Sequence, residues 1–373
     1  MSLVATDIGF FPSLPLVTNT GASPSIFTFD ASADLLALVC QVPKTGTISK
    51  VHYRILTNGG TCTATHRIEL RTVDVTTGLP NAAGTLYGSS STVSVGLVLG
   101  VGYTANTNVT AAVNATAATA GDLVAVVFDF SAYTTGSFTM LEALGRMIYG
   151  NNNRLSSFPY VVRNTTGSAA KATDFPNAFI FEYSDGTYLS PVIGGAWVGT
   201  GASYTFSSSA AIRRVGNKFT PRTKRRAIGI NWNGDMDGGV IARIRSTADD
   251  SVLAESTTPD SDVRGTNTQN GYTFLFDAGA TLTMNAGTAY RVLVEGGNTT
   301  SSNIIGLATA PAAAALGAMP GGQNCFLCTH DGTSYDDTVT TSRAEITVIT
   351  DQEDDGTGGG GGLLRANMSG GVL

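Results

Sequence analysis

The sequence repeats itself. Residues 120–127 (AGDLVAVV) resemble residues 286–293 (AGTAYRVL) at a spacing of 166 positions, and residues 161–164 and 178–182 have counterparts at 327–330 and 344–348 at the same spacing. Upstream, residues 67–71 (RIELR) resemble residues 241–245 (IARIR) at a spacing of 174, so a few inserted residues separate the two registers. The repeat predicts that the chain builds one fold twice, with each copy long enough to bury its own core.

Polar and apolar residues alternate in both copies, which predicts antiparallel sheet with one buried face. The pattern is clear at residues 50–55 (KVHYRI) and 67–71, and further strands are predicted at 123–130, 178–183, 227–232, 240–245, 272–276, 289–295 and 344–349. Only 13% of the residues are charged, and 45 glycines supply turns. We therefore predict an all-β protein made of two tandem jelly-roll-like antiparallel β-sandwich units, with short helices only at 139–149 and 310–318.

The expected domains are an N-terminal arm or edge strand at 1–24, a first sandwich at 25–185, a second at 194–350 and a tail at 351–373. The lead-in is apolar and carries Phe10 and Phe11, so it is either a first edge strand or an arm that packs on a neighbouring subunit. The tail is acidic at 353–355 and then runs through five glycines into an apolar end. It is typical of a flexible tether with a hook, whose docking residues are Leu363, Leu364, Met368 and Leu373.

Composition and charge argue against several classes of function. No basic and apolar leader and no run of about 18 apolar residues is present, which predicts neither a signal peptide nor a membrane span. The net charge of −6 leaves no footprint for nucleic acid. The carboxylates are scattered, and pairing of strands 50–55 and 67–71 would place His52 and His66 on opposite faces. We therefore predict no catalytic residues, no cofactor and no enzymatic activity.

Two local motifs have a candidate role in metal binding. Residues 233–238 (NGDMDG) resemble the start of a calcium loop, with Asp235 and Asp237 as candidate ligands, but the twelfth position is Ile244 and not the bidentate Glu of an EF-hand. A solvated hairpin turn is the alternative. Cys325 and Cys328 form a CxxC, yet residues three apart in a strand point to opposite faces, which favours two ordinary cysteines.

Two further groups of residues are candidates for partner binding. Seven basic residues crowd a stretch without any acid: Arg213, Arg214, Lys218, Arg222, Lys224, Arg225 and Arg226. They form either a solvated or interdomain face, or a surface that docks onto an acidic one such as residues 353–355 of another subunit. Exposed aromatic rings could stack on sugars, and Tyr335, in an acidic loop, is the best candidate, whereas Trp232 is in phase with core residues.

The N-terminus without a leader, the Val-, Thr-, Ala- and Gly-rich tandem units and the run Gly358–Gly362 followed by residues 363–373 resemble virion accessory proteins of tailed bacteriophages. These are decoration, head-fibre and tail-associated β-sandwich proteins. The resemblance implies a non-enzymatic virion structural protein, made in the host cytoplasm, that docks to other virion proteins and to its own copies, with a trimer favoured. Residues 68–81 are also similar to jelly-roll modules of adhesins, so a glycan-binding or receptor-binding protein is the alternative.

Overall fold

The computed structural model describes a large part of the chain. The described residues are 4–5, 25–42, 44–58, 66–88, 93–95, 107–129, 138–143, 160–164, 168–172, 180–189, 203–221, 224–257, 261–264, 270–277, 280–300, 302–309, 325–339, 342–344 and 346–353. Within these ranges the regular structure is entirely β-strand, which confirms the all-β prediction. No helix long and apolar enough to cross a membrane is found among them.

Among the described residues there are 27 strands, of which the first thirteen lie in the N-terminal half of the chain. They are β1 (Val4–Ala5), β2 (Ser25–Phe29), β3 (Leu35–Gln41), β4 (Gly46–Asn58), β5 (His66–Arg71), β6 (Val93–Val95), β7 (Thr107–Ala118), β8 (Leu123–Asp129), β9 (Phe138–Ala143), β10 (Tyr160–Asn164), β11 (Ala170–Ala172), β12 (Ile180–Tyr183) and β13 (Tyr188–Leu189).

Fourteen strands follow in the C-terminal half. They are β14 (Ser203–Phe206), β15 (Arg214–Phe219), β16 (Arg225–Asp235), β17 (Val240–Ser246), β18 (Val252–Ser256), β19 (Ser261–Arg264), β20 (Asn270–Leu275), β21 (Leu282–Met284), β22 (Tyr290–Gly296), β23 (Asn303–Thr309), β24 (Cys325–His330), β25 (Tyr335–Val339), β26 (Ser342–Ala344) and β27 (Ile346–Glu353).

These strands form four sheets in which every pair is antiparallel. Sheet 1 has the order β13-β12-β4-β9-β2, with β7 on the other edge of β4, and sheet 2 has the order β11-β10-β3-β8-β5-β6. Sheet 3 has the order β1-β27-β16-β20-β19, with β21 and β23 also on β16 and with β14 and β26 on β23. Sheet 4 has the order β18-β17-β22-β15-β24-β25. Apart from β1, strands of the two halves do not pair with each other within the described ranges.

Sheets 2 and 4 have the same strand order. Reading β25-β24-β15-β22-β17-β18 beside β11-β10-β3-β8-β5-β6 matches each strand to the one in the same position along the chain. The register matches as well, because Arg71 lies opposite Ala125 while Arg245 lies opposite Arg291. Those pairs are separated by the spacings of 174 and 166 that the sequence shows.

The chain changes sheet at almost every step. Strands β2, β4, β7, β9 and β12 belong to sheet 1, whereas β3, β5, β8 and β10 belong to sheet 2, so that among the described strands of the N-terminal half local hairpins occur only where β6, β11 and β13 follow their neighbours. Residues 50–55 and 67–71 do not pair with each other, because the two strands lie in different sheets. Alternation alone could not show this, since it reports the faces of a strand and not its neighbours.

Sheets 3 and 4 pack through one apolar core. Trp232 is fully buried and stacks on Tyr272 with ring centroids 4.8 Å apart, while Val215 and Phe219 of β15 reach the core from sheet 4. Between these two lies Asn217, which is 1% exposed. Its amide nitrogen donates to the carbonyl of Ala344 and its oxygen accepts from the Ala344 N–H, both at 2.9 Å, which binds β15 to β26 across the two sheets.

Both faces of sheet 2 are buried. Leu36 and Leu38 lie on one face, and Ala37 and Val39 on the other. Residues 72–88, which follow β5, cover the second face through Val73 and Leu79, and the Tyr160 hydroxyl donates to the Gly78 carbonyl at 2.5 Å. In sheet 4 the corresponding strands β17 and β18 are joined by a short turn instead, so no comparable segment follows β17.

Some boundaries differ from the predicted ones. Residues 139–143, predicted as helical, belong to β9, which pairs with β2 and β4. The rest of that segment and residues 310–318 lie outside the described residues. Strand β13 lies beyond residue 185, the predicted end of the first sandwich. Strand β27 ends at Glu353, three residues beyond the predicted end of the second sandwich at 350.

Candidate functional site

The outer face of sheet 4, turned away from the core, carries a dense group of charged side chains. Since alternate residues of β15, β17 and β22 point away from the core, the arginines and acids of these strands gather there. The charged face, as we call it, consists of Arg214, Lys218, Arg243, Arg245, Asp250, Arg291, Glu295, His330, Tyr335 and Asp337.

Glu295 is the centre of this face. Its carboxylate accepts from Arg245 Nε at 2.6 Å and from Arg243 Nη1 at 2.5 Å, and Arg214 Nε lies 3.6 Å away. The residue is 6% exposed, so its charge is compensated inside the protein and not by water.

Asp250 forms a second centre at the turn after β17. Its carboxylate accepts from Arg214 Nη1 at 2.7 Å and from the Tyr335 hydroxyl at 2.6 Å, while its carbonyl accepts from Arg245 Nη1 at 2.7 Å. Burial acts to raise the pKa of the Asp250 carboxyl, but the hydrogen bonds from Tyr335 and Arg214 and the charge of Arg245 outweigh it, so the pKa lies below its ordinary value. Asp250 is therefore an anion at neutral pH.

Replacing Asp250 with asparagine should lower the free energy of unfolding at pH 7 by about 1–2 kcal/mol, because the amide carries no negative charge and offers Arg214 and Tyr335 one acceptor oxygen where the carboxylate offers two. Asparagine tolerates the positive φ of 59° found at this position. A lowered carboxyl pKa contributes stability above the unfolded pKa of about 3.9, and this contribution is lost as the pH falls through the folded value. The gap between variant and parent should therefore close below about pH 4.

Urea unfolding at several pH values between 7 and 2.5 measures this gap. Asp336→Asn is the matched control, because Asp336 is exposed and, among the described residues, its carboxylate accepts only from Thr338, two residues along. A gap for Asp250→Asn that stays constant down to the lowest pH would contradict the assignment.

Tyr335 does not present a free ring. It is half-buried, with the Arg291 guanidinium 3.9 Å from the ring centroid and the His330 ring 4.3 Å away. Burial, followed by the hydrogen bond to Asp250, raises the pKa of the Tyr335 hydroxyl. The prediction of an exposed ring at Tyr335 is wrong, because side chains of this chain occupy the surface on which a sugar would stack.

Asp337 completes the charged face on its other side. Its carboxylate lies 3.0 Å from Arg291 Nη2 and 3.2 Å from Lys218 Nζ. Burial acts to raise the pKa of this carboxyl, but the hydrogen bonds from Arg291 and Lys218 outweigh it, so the pKa lies below its ordinary value. The face is thus one network in which five cationic side chains share three carboxylates.

One ring nitrogen of His330 accepts a hydrogen bond from the backbone. Its Nδ1 accepts from the Gly332 N–H at 2.9 Å, and burial, together with the charge of Arg214, lowers the pKa of the imidazole.

His52, in the other half, lies 2.8 Å from Glu182 Oε2, and Lys50 Nζ donates to Glu182 Oε1 at 2.6 Å. Burial lowers the pKa of His52 against the opposing effect of Glu182. These two histidines therefore lie in separate ion networks.

The basic stretch at 213–226 is divided by the fold. Arg214 and Lys218 belong to the charged face, whereas Arg225, fully buried, and Arg226, half-buried, lie on β16 in sheet 3. Arg213 and Lys224 are exposed, and Arg222 lies outside the described residues. The stretch therefore does not form a single surface, because Arg214 begins β15 in sheet 4 and Arg225 begins β16 in sheet 3.

Glu353, proposed as an acidic partner from another subunit, lies opposite Arg225 in the strand register of the same chain. The remaining predicted docking residues, Phe10, Phe11, Leu363, Leu364, Met368 and Leu373, lie outside the described residues.

The predicted metal motifs take part in backbone structure. Asp237 accepts from the Ser302 N–H at 3.2 Å, and its own N–H donates to Asn303 at 3.0 Å, while Asp235 ends β16. In the ranges given above, no three His, Cys, Asp or Glu side chains are grouped to hold a metal ion.

The strand register places the two CxxC cysteines as predicted. Cys325 lies opposite the core residue Phe219, and Cys328 lies opposite Gly216 on the other face. Cys328 is buried, and burial raises its pKa to about 12.

Sequence reasoning missed the acids and arginines at the centre of the charged face, although the repeat carries a signal for them. Arg71 and Arg245 are 174 positions apart, and Asp129 and Glu295 are 166 positions apart. These are the spacings of the repeat itself. In the structure Arg71 pairs with Asp129, as Arg245 pairs with Glu295. An ion pair of the same kind therefore occurs in both halves.

Comparison with known proteins adds little. No protein-family model and no curated protein matches the chain. The match to a solved structure of infectious bursal disease virus, Gt strain, covers 91% of this chain and 83% of the viral chain at 10% identity, with a TM-score of 0.13. A likeness at this level carries no argument about fold or function.

Proposed function

We propose that the chain is a non-enzymatic virion structural protein that docks to other virion subunits through its terminal segments. The observation that carries the proposal is the pairing of β1 with β27, in which Val4 lies opposite Thr350 and Ala5 opposite Ile349. The strand before the apolar lead-in and the strand before the acidic, Gly-rich tail therefore belong to one sheet edge, from which antiparallel pairing directs the chain in opposite directions. Both segments suited to docking thus adjoin the same edge.

The proposed architecture is a tandem pair of jelly-roll-like β-sandwich units that arose by duplication. The equal strand order of sheets 2 and 4 supports it, as does the placement of β12 and β27 on β4 and β16. The charged face supports a structural role, because its side chains bind one another. In this proposal the protein is made in the host cytoplasm, is located in the virion and forms homo-oligomers, with a trimer favoured. The glycan-binding alternative loses its main candidate, since Tyr335 is covered.

Two measurements test the proposal. Purified particles should contain the chain in fixed stoichiometry to a major virion protein, and absence from particles would overturn the virion assignment.

The mass measured by light scattering should fall from an oligomer to a single chain when residues 354–373 are removed. This cut leaves β27 intact to Glu353, so that a loss of assembly reports on the tail and not on a damaged sheet. The matched control keeps the five glycines and replaces Leu363 and Leu364 with serine, which removes two apolar anchors worth roughly 3–6 kcal/mol per chain if fully buried. Equal masses for all three chains would contradict docking between copies through the tail.

A further inference from the structure

The outer edge of β27 is incompletely paired. One edge of this strand runs along β16, from Glu353 opposite Arg225 to Ile346 opposite Trp232. The other edge meets β1 at two positions. Along the rest of that edge, no strand pairs with β27 within the described ranges. An unpaired edge presents backbone donors and acceptors that can accept a further strand.

The N-terminal half completes the corresponding edge locally. Its strand β12 lies on β4 as β27 lies on β16, and the hairpin strand β13 pairs with it, placing Phe181 opposite Leu189 and Glu182 opposite Tyr188. In the C-terminal half the chain passes from β27 into the tail, and β1 from the distant lead-in takes the place of that hairpin strand. The second unit therefore depends on a strand that its own segment does not supply.

The supplying strand is on a long connection. Nineteen residues, 6–24, separate β1 from β2, which belongs to sheet 1 in the other half. Nineteen residues can span up to about 65 Å, enough to reach a neighbouring copy. The contact between β1 and β27 is backbone pairing, which is the same whichever copy supplies the strand.

We propose that the edge of β27 is a strand-acceptor site, and that in the assembled protein its occupant is the Val4–Ala5 strand of a second copy. The inference deepens the proposed function and rests on it, because an assembly is what holds copies side by side. A single two-residue strand binds the edge of β27 weakly, but many such contacts in an array raise the effective concentration of each strand. The lead-in is then the arm that links subunits.

Cysteine pairs test the exchange in the full chain. Residues opposite each other in an antiparallel pair have Cα atoms about 4.5–5.5 Å apart, within the range that a disulfide spans. Ala5→Cys is placed in one chain and Ile349→Cys in a second chain that carries a mass tag. The two are refolded together under reducing conditions, concentrated and oxidised. A disulfide between these two positions can then form only between copies.

A mixed, tag-shifted species that is lost on reduction is the expected main product. Each variant alone, with the native cysteines present, sets the background, and Val4→Cys with Thr350→Cys provides a second register pair if Ile349→Cys fails to fold. No mixed species above background with either pair would overturn the exchange.

The same oxidation carried out on particles separates the two proposals. Protein that is present in particles but gives no mixed species would remove the strand exchange alone. Absence from particles, with mixed species formed by the purified protein, would remove the virion assignment and leave the exchange standing.

Discussion

Replacing Glu295 with glutamine should lower the free energy of unfolding by about 3–5 kcal/mol, because it leaves the buried Arg245 and the partly exposed Arg243 without their shared anion. Glutamine keeps the shape of the side chain, so the loss reports on charge and not on a cavity. Arg245 is itself 7% exposed, and water cannot replace the missing carboxylate there. Urea unfolding followed by tryptophan fluorescence measures the loss, since Trp232 lies in the core of the same half.

The matched control shares a partner with Glu295. Glu255 accepts from Arg243 Nε at 2.8 Å, but its side chain is 48% exposed. Glu255→Gln should therefore change the free energy of unfolding by only about 0–1 kcal/mol. Equal losses for the two variants would show that the charged face is held by packing, with its ion pairs making no special contribution.

Replacing Asn217 with alanine should cost about 2–4 kcal/mol. The change removes two hydrogen bonds and leaves the buried N–H and carbonyl of Ala344 without this partner. Because Asn217 joins β15 of sheet 4 to β26 of sheet 3, the loss should be felt where the two sheets meet. Amide exchange at Ala344 should accelerate by more than exchange at residues elsewhere in sheet 3.

Asn285→Ala is the control for this prediction. Asn285 is exposed and lies in a turn, so its loss should stay within about 0.5 kcal/mol. If Asn217→Ala left both the unfolding free energy and the Ala344 exchange rate unchanged, the two hydrogen bonds of the buried amide would make no net contribution to stability, which would contradict the prediction.

The strands themselves could be predicted from the sequence. Alternation located β4, β5, β17 and β22, because it separates the apolar face of a strand from the polar one even where ion pairs and not water cover the polar face. The repeat also indicated strand register. Its two spacings reappear when the pairing of β5 with β8 is compared with the pairing of β17 with β22. Residues that pair in one copy are thus a guide to residues that pair in the other.

Strand neighbours could not be predicted. Leu35 pairs with Asp129 on one side and Asn164 on the other, and neither lies in an adjacent strand of the sequence. The charged face was missed for the same reason: Glu295 and Arg245 are fifty residues apart and meet only through the sheet order. At 139–143, local composition favoured a helix, but β2 and β4 provide strand partners that outweigh it.

The alternation of the chain between facing sheets has a consequence during synthesis. Strand β3 pairs with β8 and β10, and β4 pairs with β12, so sheet 2 stays incomplete until residue 172 has left the ribosome and sheet 1 until residue 189 has done so. At 5–20 residues per second the nascent chain stays incomplete for roughly 10–40 s, with unpaired strand edges open to its neighbours. Such non-local pairing also makes the folding step itself slow, on the order of milliseconds to seconds. Building two separately closing halves limits the length of chain that is exposed in this way at any moment.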